Sequence, residues 1–319
     1  MTTEGEMTGS DKCQPFSGRK ESIAARTSKV HLGDFAGLPG DFDWYPKLRQ
    51  MMPNLLRSRD LELLSQAILE ARRASRPVVW MMGAHVLKCG LGPLVCRLVR
   101  SGVITAIATN GAGAIHDIEI AMWGKTSEDV GEGLQTGSFG TTAETARIFN
   151  DAARVCLETG TGLGKGLAKA LAELKAPNAG VSVLATALEA GVPLTVHVAI
   201  GTDVVHEHDE ADGKALGYAS MEDFRTFTSV ILGLKGGVVL NVGSAVVLPE
   251  VFLKALAIAR NRGADLGAFT TANFDMVSLY RPVTNVVERP KLVGATGYNF
   301  TGNHEILLPV FVASLLSRL

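Results

Sequence analysis

The most informative segment of this sequence is Gly237 to Lys254, GVVLNVGSAVVLPEVFLK. A short β-branched run breaks at Asn-Val-Gly-Ser and is followed by apolar residues at helical spacing, which predicts a strand, a tight turn and a helix. In a parallel α/β sheet such a turn lies at the carboxyl edge, where backbone amides can approach the phosphates or ribose of a ligand. Any strand-to-helix junction prefers small residues, so this element alone does not specify a ligand.

The same alternation of strand and helix patterns runs along the rest of the chain. Further runs typical of buried strands are Val78–Met82, Ile104–Thr109, Leu194–Val198 and Leu266–Thr270. Helical spacing occurs at residues 60–74, 91–100, from about 116, 144–158, 167–174, 221–232, 249–260 and in a last helix ending at 319. Strands separated by helices predict an α/β fold with a doubly wound, mostly parallel sheet and helices on both faces.

The first thirty residues differ from the rest of the chain in composition. Residues 1–30 are rich in Ser, Thr, Gly, Lys and Glu and hold few large apolar side chains, so burial would not offset the entropy lost on ordering them. After residue 35 no repeat or linker divides the sequence. We therefore expect a flexible N-terminal arm over 1–30 and a single α/β domain over 31–319.

Composition and charge restrict the partners. The 319 residues are 46% apolar with a mean hydropathy of +0.19, and 31 Lys and Arg against 32 Asp and Glu leave a net charge of −1. Such a balance creates no field that would attract nucleic acid or an anionic membrane. The cysteines (13, 89, 96 and 156) form no C-x-x-C pair, and the N-terminus lacks a secretory pattern. We expect a cytoplasmic protein with neither a nucleic-acid nor a membrane partner.

Four turns fall where a doubly wound sheet would place a ligand site. They are GAHVLKCG (83–90), TNGAGAIHD (109–117), AIGTDVVHEH (199–208) and NVGS (241–244). Each follows a strand-like run, so they are expected to gather at one edge of the sheet and share a pocket. The alternative for any one turn is that Gly and Asn only close a tight bend.

Two further motifs suggest other chemistry. His206 and His208, with Asp203 nearby, are ligand types that suit a transition metal, but no H-E-x-x-H helix pair is present. The run Gly160–Gly166 looks like a phosphate cradle, yet it lacks the Walker spacing and follows a helix pattern, which favours a helix-to-helix turn. No G-x-S-x-G elbow supports a serine hydrolase.

Seven segments then follow one another along the chain in a specific order. They are TNGAGAIHD (109–117), GKTSEDV (124–130), VPLTVHVAIGTD (192–203), GSAVVLPEVFLKA (243–255), NRGAD (261–265), TTANFD (270–275) and HEILLP (304–309). Together they resemble the deoxyhypusine synthase family, and more closely its bacterial deoxyhypusine synthase-like branch. Several motifs in order are more specific than a single glycine loop.

The resemblance implies a Rossmann-like fold and a homotetramer with NAD as cofactor. Members of the family oxidise spermidine with NAD, hold the aminobutyl group as an imine on a lysine and pass it to a lysine of the precursor of translation initiation factor 5A. Homospermidine synthase, a close relative, uses a small amine as acceptor. We therefore expect NAD as cofactor, a small-molecule amine as substrate and, as alternative acceptors, a protein lysine or a small amine.

The resemblance also assigns roles to residues. In the cofactor turns, His116 stands in the place of an acidic residue, His85 lies in the loop where the family has Ser-Asn, and Gly243-Ser244 replaces a Gly-Gly pair. The residues assigned to the dinucleotide are His85, Asn110, Gly111, Gly113, His116, Gly243, Ser244, Thr271 and Asp275.

The predicted catalytic residues are Lys291, Asp203 and His206. Asp203 would bind a substrate ammonium, and His206 or His116 could move a proton. The imine-forming lysine, which the family carries in Trp-Gly-Lys, has its nearest match in Arg289-Pro290-Lys291. A neighbouring Arg289 could lower the pKa of Lys291 and make it nucleophilic.

Several family carboxylates are replaced, among them those at Asn285 and Asn303. A polyamine would lose charge-assisted hydrogen bonds of about 1.5 to 3 kcal/mol each. The sequence therefore predicts an NAD-dependent transferase acting on a polyamine or related amine, with spermidine itself disfavoured. Two alternatives remain open: a catalytically diverged nucleotide-binding or scaffold protein of the same fold, and a metal-dependent hydrolase using His206 and His208.

Overall fold

The computed structural model describes residues 18–319. Its strands are β1 (Val30–His31), β2 (Val78–Met82), β3 (Ala106–Asn110), β4 (Lys125–Thr126), β5 (Leu194–His197), β6 (Val238–Val242), β7 (Phe269–Asp275) and β8 (Ala295–Thr301). Its helices are α1 (Tyr45–Met51), α2 (Leu56–Arg73), α3 (His85–Lys88), α4 (Gly92–Arg100), α5 (Gly111–Trp123), α6 (Val130–Thr136), α7 (Ala143–Thr159), α8 (Leu163–Glu173), α9 (Val183–Glu189), α10 (Gly213–Leu232), α11 (Val247–Asn261), α12 (Tyr280–Pro282), α13 (Arg289–Lys291) and α14 (His304–Leu316). A π-helical segment, Val283–Glu288, joins α12 to α13.

The described residues form one six-stranded parallel sheet in the order β5-β3-β2-β6-β7-β8. From β2 the chain moves outward through β3 and β5, crosses back to β6 on the other side of β2, and moves outward again through β7 and β8. This is the strand order of the doubly wound dinucleotide-binding fold, and its direction reverses between β2 and β6. The predicted Rossmann-like α/β class is confirmed.

Both faces of the sheet are buried, which explains the continuous apolar runs of the central strands. Alternate residues of a strand point to opposite faces. Trp80 and Met82 pack in the core that includes residues of α2, α4, α5, α8 and α14, whereas Val79 and Met81 pack with residues of α10 and α11. Each fully buried Leu, Phe or Met contributes about 1.5 to 3 kcal/mol, so both layers stabilise the sheet substantially.

Two strands of the sheet depart most from the sequence prediction, and both carry polar residues. β7 begins at Phe269 rather than Leu266, and β8 was not predicted; β3 also begins later than predicted, at Ala106 rather than Ile104. Amides of β6, β7 and β8 form a ladder across the sheet: Asn241 Nδ2 donates to Asn273 Oδ1 at 2.8 Å, and Asn273 Nδ2 donates to Asn299 Oδ1 at 2.8 Å. These hydrogen bonds offset the free-energy cost of burying the amide groups. Strand prediction from alternating apolar residues does not detect strands of this kind.

The N-terminal segment is docked where the structure describes it. Of the expected flexible arm 1–30, residues 1–17 lie outside the described residues, while Ile23 is only 1% exposed and Arg26 forms a bidentate ion pair with Glu119 at 2.9 Å. β1 then pairs with β4 through Val30 and Thr126. These contacts order residues 21–31 against the domain. In the described part of the chain, no helix is long and apolar enough to cross a membrane.

Candidate functional site

The carboxyl ends of β2 and β6 meet at two glycines. A Cβ on Gly83 would overlap the carbonyl oxygen of Gly243, so only glycine allows the two turns to approach. Gly243 itself has a φ of 64°, and a Cβ there would lie 2.8 Å from Cε1 of His304. We call the place where the strand order reverses, between β2 and β6, the switch point. Both positions are glycine because the backbones of the two turns are in contact there.

The N-terminus of α11 opens directly beside these glycines. The buried Ser244 hydroxyl accepts the amide of Leu248 at 3.2 Å, which caps the helix, and Ala245 and Val246 are exposed. Among residues 18–319 the amides of Ser244, Ala245 and Val246 donate to no other protein group. The start of this 15-residue helix therefore offers backbone donors and a positive dipole end to an anion.

The second predicted glycine turn, at the start of α5, is filled by the protein itself. Asn110 Oδ1 accepts the amide of Gly113 at 2.9 Å. The carboxylate of Asp203 lies where a Cβ of Gly111 would be, and it accepts a hydrogen bond from the amide of Ala112. Burial raises the pKa of Asp203 to about 6. This helix N-terminus thus already holds a carboxyl group in the position a phosphate would take.

His206 orders the loop that carries Asp203. Its Nδ1 accepts the amides of Gly201 at 3.2 Å and of Asp203 at 3.3 Å, which places the ring proton on Nε2. Burial lowers the pKa of His206, which disfavours the cationic ring. Two residues predicted to be catalytic, His206 and Asp203, are thus in direct contact in this loop.

Two histidines and a thiol lie next to Gly243. The rings of His85 and His304 are 5.4 Å apart, and Cys89 Sγ lies 3.2 Å from His85 Nε2. Burial, reinforced by His304 and Lys88, lowers the pKa of His85, and burial raises the pKa of the Cys89 thiol. The thiol and Nε2 are within hydrogen-bonding distance, and either atom can be the donor.

The two residues assigned on β7 have different positions. Asp275 ends the strand at the carboxyl edge, and its Oδ1 accepts the amide of Met276 at 2.8 Å. Thr271 lies four residues earlier, paired with Val239 and Gly297 inside the sheet. Four strand residues span about 13 Å, so Thr271 does not reach the edge where Asp275 lies.

His116 is partly exposed on α5, which packs beside α3. We call the surface between these two helices the groove; its partly exposed residues are Ala84, His85, Cys89, Asn110, Ala112 and His116, and Lys88 beside them is exposed. Burial lowers the pKa of His116 to about 4.

Lys291 lies apart from these residues within one chain. Its ammonium forms an ion pair with Glu288 at 2.8 Å, and its Cε lies 3.1 Å from the Cβ position of Gly297. Gly297 is level with Val239 across two strands, about 13 Å along the sheet and about 10 Å across it from Gly243. Lys291 is therefore not part of the cluster at the carboxyl edge of its own chain. Its role as the imine-forming lysine stays a prediction.

The remaining motifs have structural roles. Gly160–Gly166 turns between α7 and α8, where a Cβ on Gly164 or Gly166 would overlap Leu194 or Cys156. His208 Nε2 bonds the carbonyl of Gly140 at 2.8 Å. Within residues 18–319, no three His, Cys, Asp or Glu side chains come together to hold a metal ion.

Sequence reasoning missed two groups at this edge. His304 begins the quoted segment HEILLP, and its Nε2 lies 3.2 Å from the carbonyl of Phe274; its position before an apolar helix was the available signal. Lys88 belongs to the turn 83–90, but the sequence indicated no role for it. Both lie beside His85, which the sequence did predict.

The edge retains buried polar atoms whose hydrogen-bonding capacity is unused. Among the described residues, no partner exists for Asp203 Oδ2, His206 Nε2, Asp275 Oδ2 or His304 Nδ1. Such atoms in a native protein point to water or a ligand. With the open start of α11 and the close glycine turns, the residues present are suited to a dinucleotide: backbone donors for its phosphates and side-chain groups for its sugars and bases.

Comparisons with known proteins support the fold. No protein-family model matches the sequence, and no curated protein matches it. Among solved structures, AgrE in its ternary complex with ornithine and NAD+ matches at 15% identity with a TM-score of 0.51, over 80% of this chain and 32% of that one. A conserved LOR/SDH-type protein from Methanococcus maripaludis S2 matches at 16% identity and 0.52, over 84% and 70%. A protein described as a deoxyhypusine synthase from Entamoeba histolytica matches at 11% and 0.48, over 87% and 96%.

This chain thus spans about a third of the length of AgrE. At these identities the likeness concerns the fold alone, and it agrees with the strand order found above. The chain has a Rossmann-like fold, in agreement with its similarity to AgrE and to the LOR/SDH-type protein.

Proposed function

We propose that this protein is an NAD-dependent enzyme of the deoxyhypusine synthase type that acts on a small amine. The observation that carries the proposal is the switch point itself, where close glycine turns, the open start of α11 and unpartnered buried polar atoms lie together. The order of seven family-like motifs along the sequence supports the same assignment. AgrE, a structural neighbour of this chain, has been crystallised in a ternary complex with ornithine and NAD+, and we take these two ligands as the first candidates to test.

The dinucleotide, when bound, supplies a hydride acceptor. The amides of Ser244, Ala245 and Val246 would bind its phosphates, and Gly83 and Gly243 would let it approach the sheet edge. Because α5 already holds the Asp203 carboxyl group, its N-terminus is not used for phosphate.

The amine is proposed to bind through carboxylate oxygens. Asp203 Oδ2 and Asp275 Oδ2 are acceptors that have no partner among the described residues, and an ammonium group supplies donors for them. His206 Nε2 carries a proton, so it would donate to an acceptor atom of a ligand and not to the ammonium group, which has only donors. We further propose that an aminoalkyl group is transferred through Lys291. This step requires Lys291 of a second copy of the chain to lie at the carboxyl edge, as the expected homotetramer would allow.

The experiment is a calorimetric titration of NAD into the full chain, followed by assays of NAD reduction with ornithine, putrescine and spermidine. We expect NAD to bind, and Asp275→Asn to reduce turnover with the preferred amine while Gly217→Ala, on an open surface of α10, has no effect. An absence of NAD binding at millimolar concentration would contradict the proposal.

A non-catalytic nucleotide-binding or scaffold protein is the second candidate. It is favoured because several predicted site residues already have structural roles: Asn110 and Ser244 cap helices, and Asp203 fills a glycine turn. NAD binding without reduction by any amine, and without a borohydride-trapped adduct on Lys291, would support it.

A further inference from the structure

A continuous hydrogen-bonded chain leads from the N-terminal segment to His116. The carboxylate of Glu119 accepts both guanidinium nitrogens of Arg26 at 2.9 Å and the hydroxyl of Thr126 at 2.5 Å. Thr126 Oγ1 in turn lies 2.7 Å from His116 Nδ1. Thr145 donates to the other oxygen of Glu119 at 3.1 Å, so the carboxylate is held from several directions.

The direction of each hydrogen bond in this series determines the tautomer of His116. A carboxylate paired with a guanidinium has no proton to give, so Thr126 must donate its single hydroxyl proton to Glu119. Thr126 can then only accept from the imidazole, which places the ring proton of His116 on Nδ1. Its Nε2 carries a lone pair and has no hydrogen-bond partner among residues 18–319.

The surroundings keep His116 an acceptor rather than a cation. Burial lowers the pKa of His116 to about 4; Glu119 opposes the shift, and Lys88 and Arg26 add to it. The ring is therefore neutral above about pH 5. The exposed Lys88 beside the groove disfavours an ammonium group there and favours the sugar-phosphate part of a ligand.

We propose that Arg26, Glu119 and Thr126 are positioning residues that hold His116 in its Nδ1–H form, so that Nε2 accepts a sugar hydroxyl of the bound dinucleotide in the groove between α3 and α5. The ligand part of this inference rests on the proposed function. The inference about the tautomer of His116 depends only on hydrogen bonds within the protein and not on a ligand. Arg26 thereby connects the docked N-terminal segment to cofactor recognition.

The first test needs no ligand. Long-range proton–nitrogen NMR of the full chain with nitrogen-15-labelled histidine distinguishes the protonated from the bare ring nitrogen. We expect the His116 Nδ1–H form throughout pH 6 to 8 in the wild type and in Thr126→Ser, which keeps the hydroxyl, and a mixture of tautomers in Thr126→Val. A wild-type ring protonated on Nε2, or on both nitrogens, would overturn the inference.

The second test measures NAD affinity by calorimetry, with circular dichroism melting curves to verify folding. We expect His116→Phe and Thr126→Val to weaken binding about tenfold, the effect of one hydrogen bond, and Thr126→Ser to bind as the wild type does. Unchanged affinity in folded His116→Phe would overturn the inference and leave the proposed function standing. No NAD binding by the wild type would overturn the proposed function and, with it, the hydroxyl-acceptor role.

Discussion

At the residue scale, Asp203 is the most constrained group of the site. The residue is 7% exposed, its carboxyl group occupies the space over Gly111, and burial raises the pKa of that group from 3.8 to about 6. The folded chain therefore keeps this proton to a higher pH than the unfolded chain does. Ionisation of Asp203 lowers the free energy of unfolding as pH rises from about 4 to about 6, and the loss stays constant above that range.

Asp203→Asn is expected to stabilise the protein at neutral and alkaline pH. The amide keeps an oxygen that can accept the Ala112 amide and never ionises, so the free energy of unfolding should rise by up to about 3 kcal/mol at pH 8. The gain should fall toward zero at pH 4, where both variants are neutral. Urea unfolding across this pH range measures it.

Asp265 provides the control for this prediction. It is a fully exposed carboxyl group whose pKa is lowered by Lys235, so Asp265→Asn should give no gain at pH 8. A stabilisation of Asp203→Asn that did not depend on pH would contradict the assignment of the effect to a buried ionisable group.

At the scale of elements, α8 is positioned by glycines rather than by large side chains. Asp223 on α10 accepts the amides of Gly164 at 2.8 Å and Val196 at 2.7 Å, which fastens the start of α8 to β5. A Cβ on Gly164 would overlap the carbonyl oxygen of Leu194. The glycine-rich run 160–166 therefore serves close packing, and no phosphate is needed to explain it.

Gly164→Ala is expected to destabilise the protein although alanine favours helices. The added methyl group must displace backbone, at a cost of about 1 to 3 kcal/mol. Gly217→Ala is the matched control, because Gly217 lies within α10 with open space around its Cβ position; it should stabilise the chain by up to about 1 kcal/mol. Thermal unfolding of the two variants compares them, and equal shifts would contradict this account of α8.

At the scale of the whole molecule, the ion pair of Arg26 with Glu119 attaches the N-terminal segment to the sheet domain. The side chains are 8% and 3% exposed. Arg26→Met leaves a buried carboxylate without its partner and is expected to destabilise the protein by about 3 to 5 kcal/mol. The double variant Arg26→Met, Glu119→Gln removes the charge as well and should recover part of the loss in denaturant unfolding. An Arg26→Met protein as stable as the wild type would show that the segment is not docked in solution.

The sheet was largely predictable where its strands are buried on both faces. Val78–Met82 agrees at both ends with β2 because Pro77 and Gly83 bound a continuous apolar run. β8 was missed because ATGYNFT is a run of mostly small and polar residues at the edge of the sheet. Because β8 was not predicted, no pattern indicated that Lys291 lies near the amino end of a parallel strand and away from the carboxyl edge.

The site was predictable only as a set of turns. Strand-end positions identified Gly243, Ser244 and Asp275 correctly as neighbours of the carboxyl edge, since parallel strands end on the same side. The path of the loop after β5 decides that Asp203 fills the turn at Gly111, and that path depends on tertiary contacts such as the two amides bonded to His206. Sequence patterns do not predict such tertiary hydrogen bonds.

The most direct test of the central claim is the crystal structure of the full chain grown with NAD. Our account predicts electron density for the dinucleotide across the carboxyl ends of β2 and β6, with its phosphates at the start of α11 beside Gly243 and its sugar near His116. Density for NAD at any other place, or none at saturating concentration, would contradict the account.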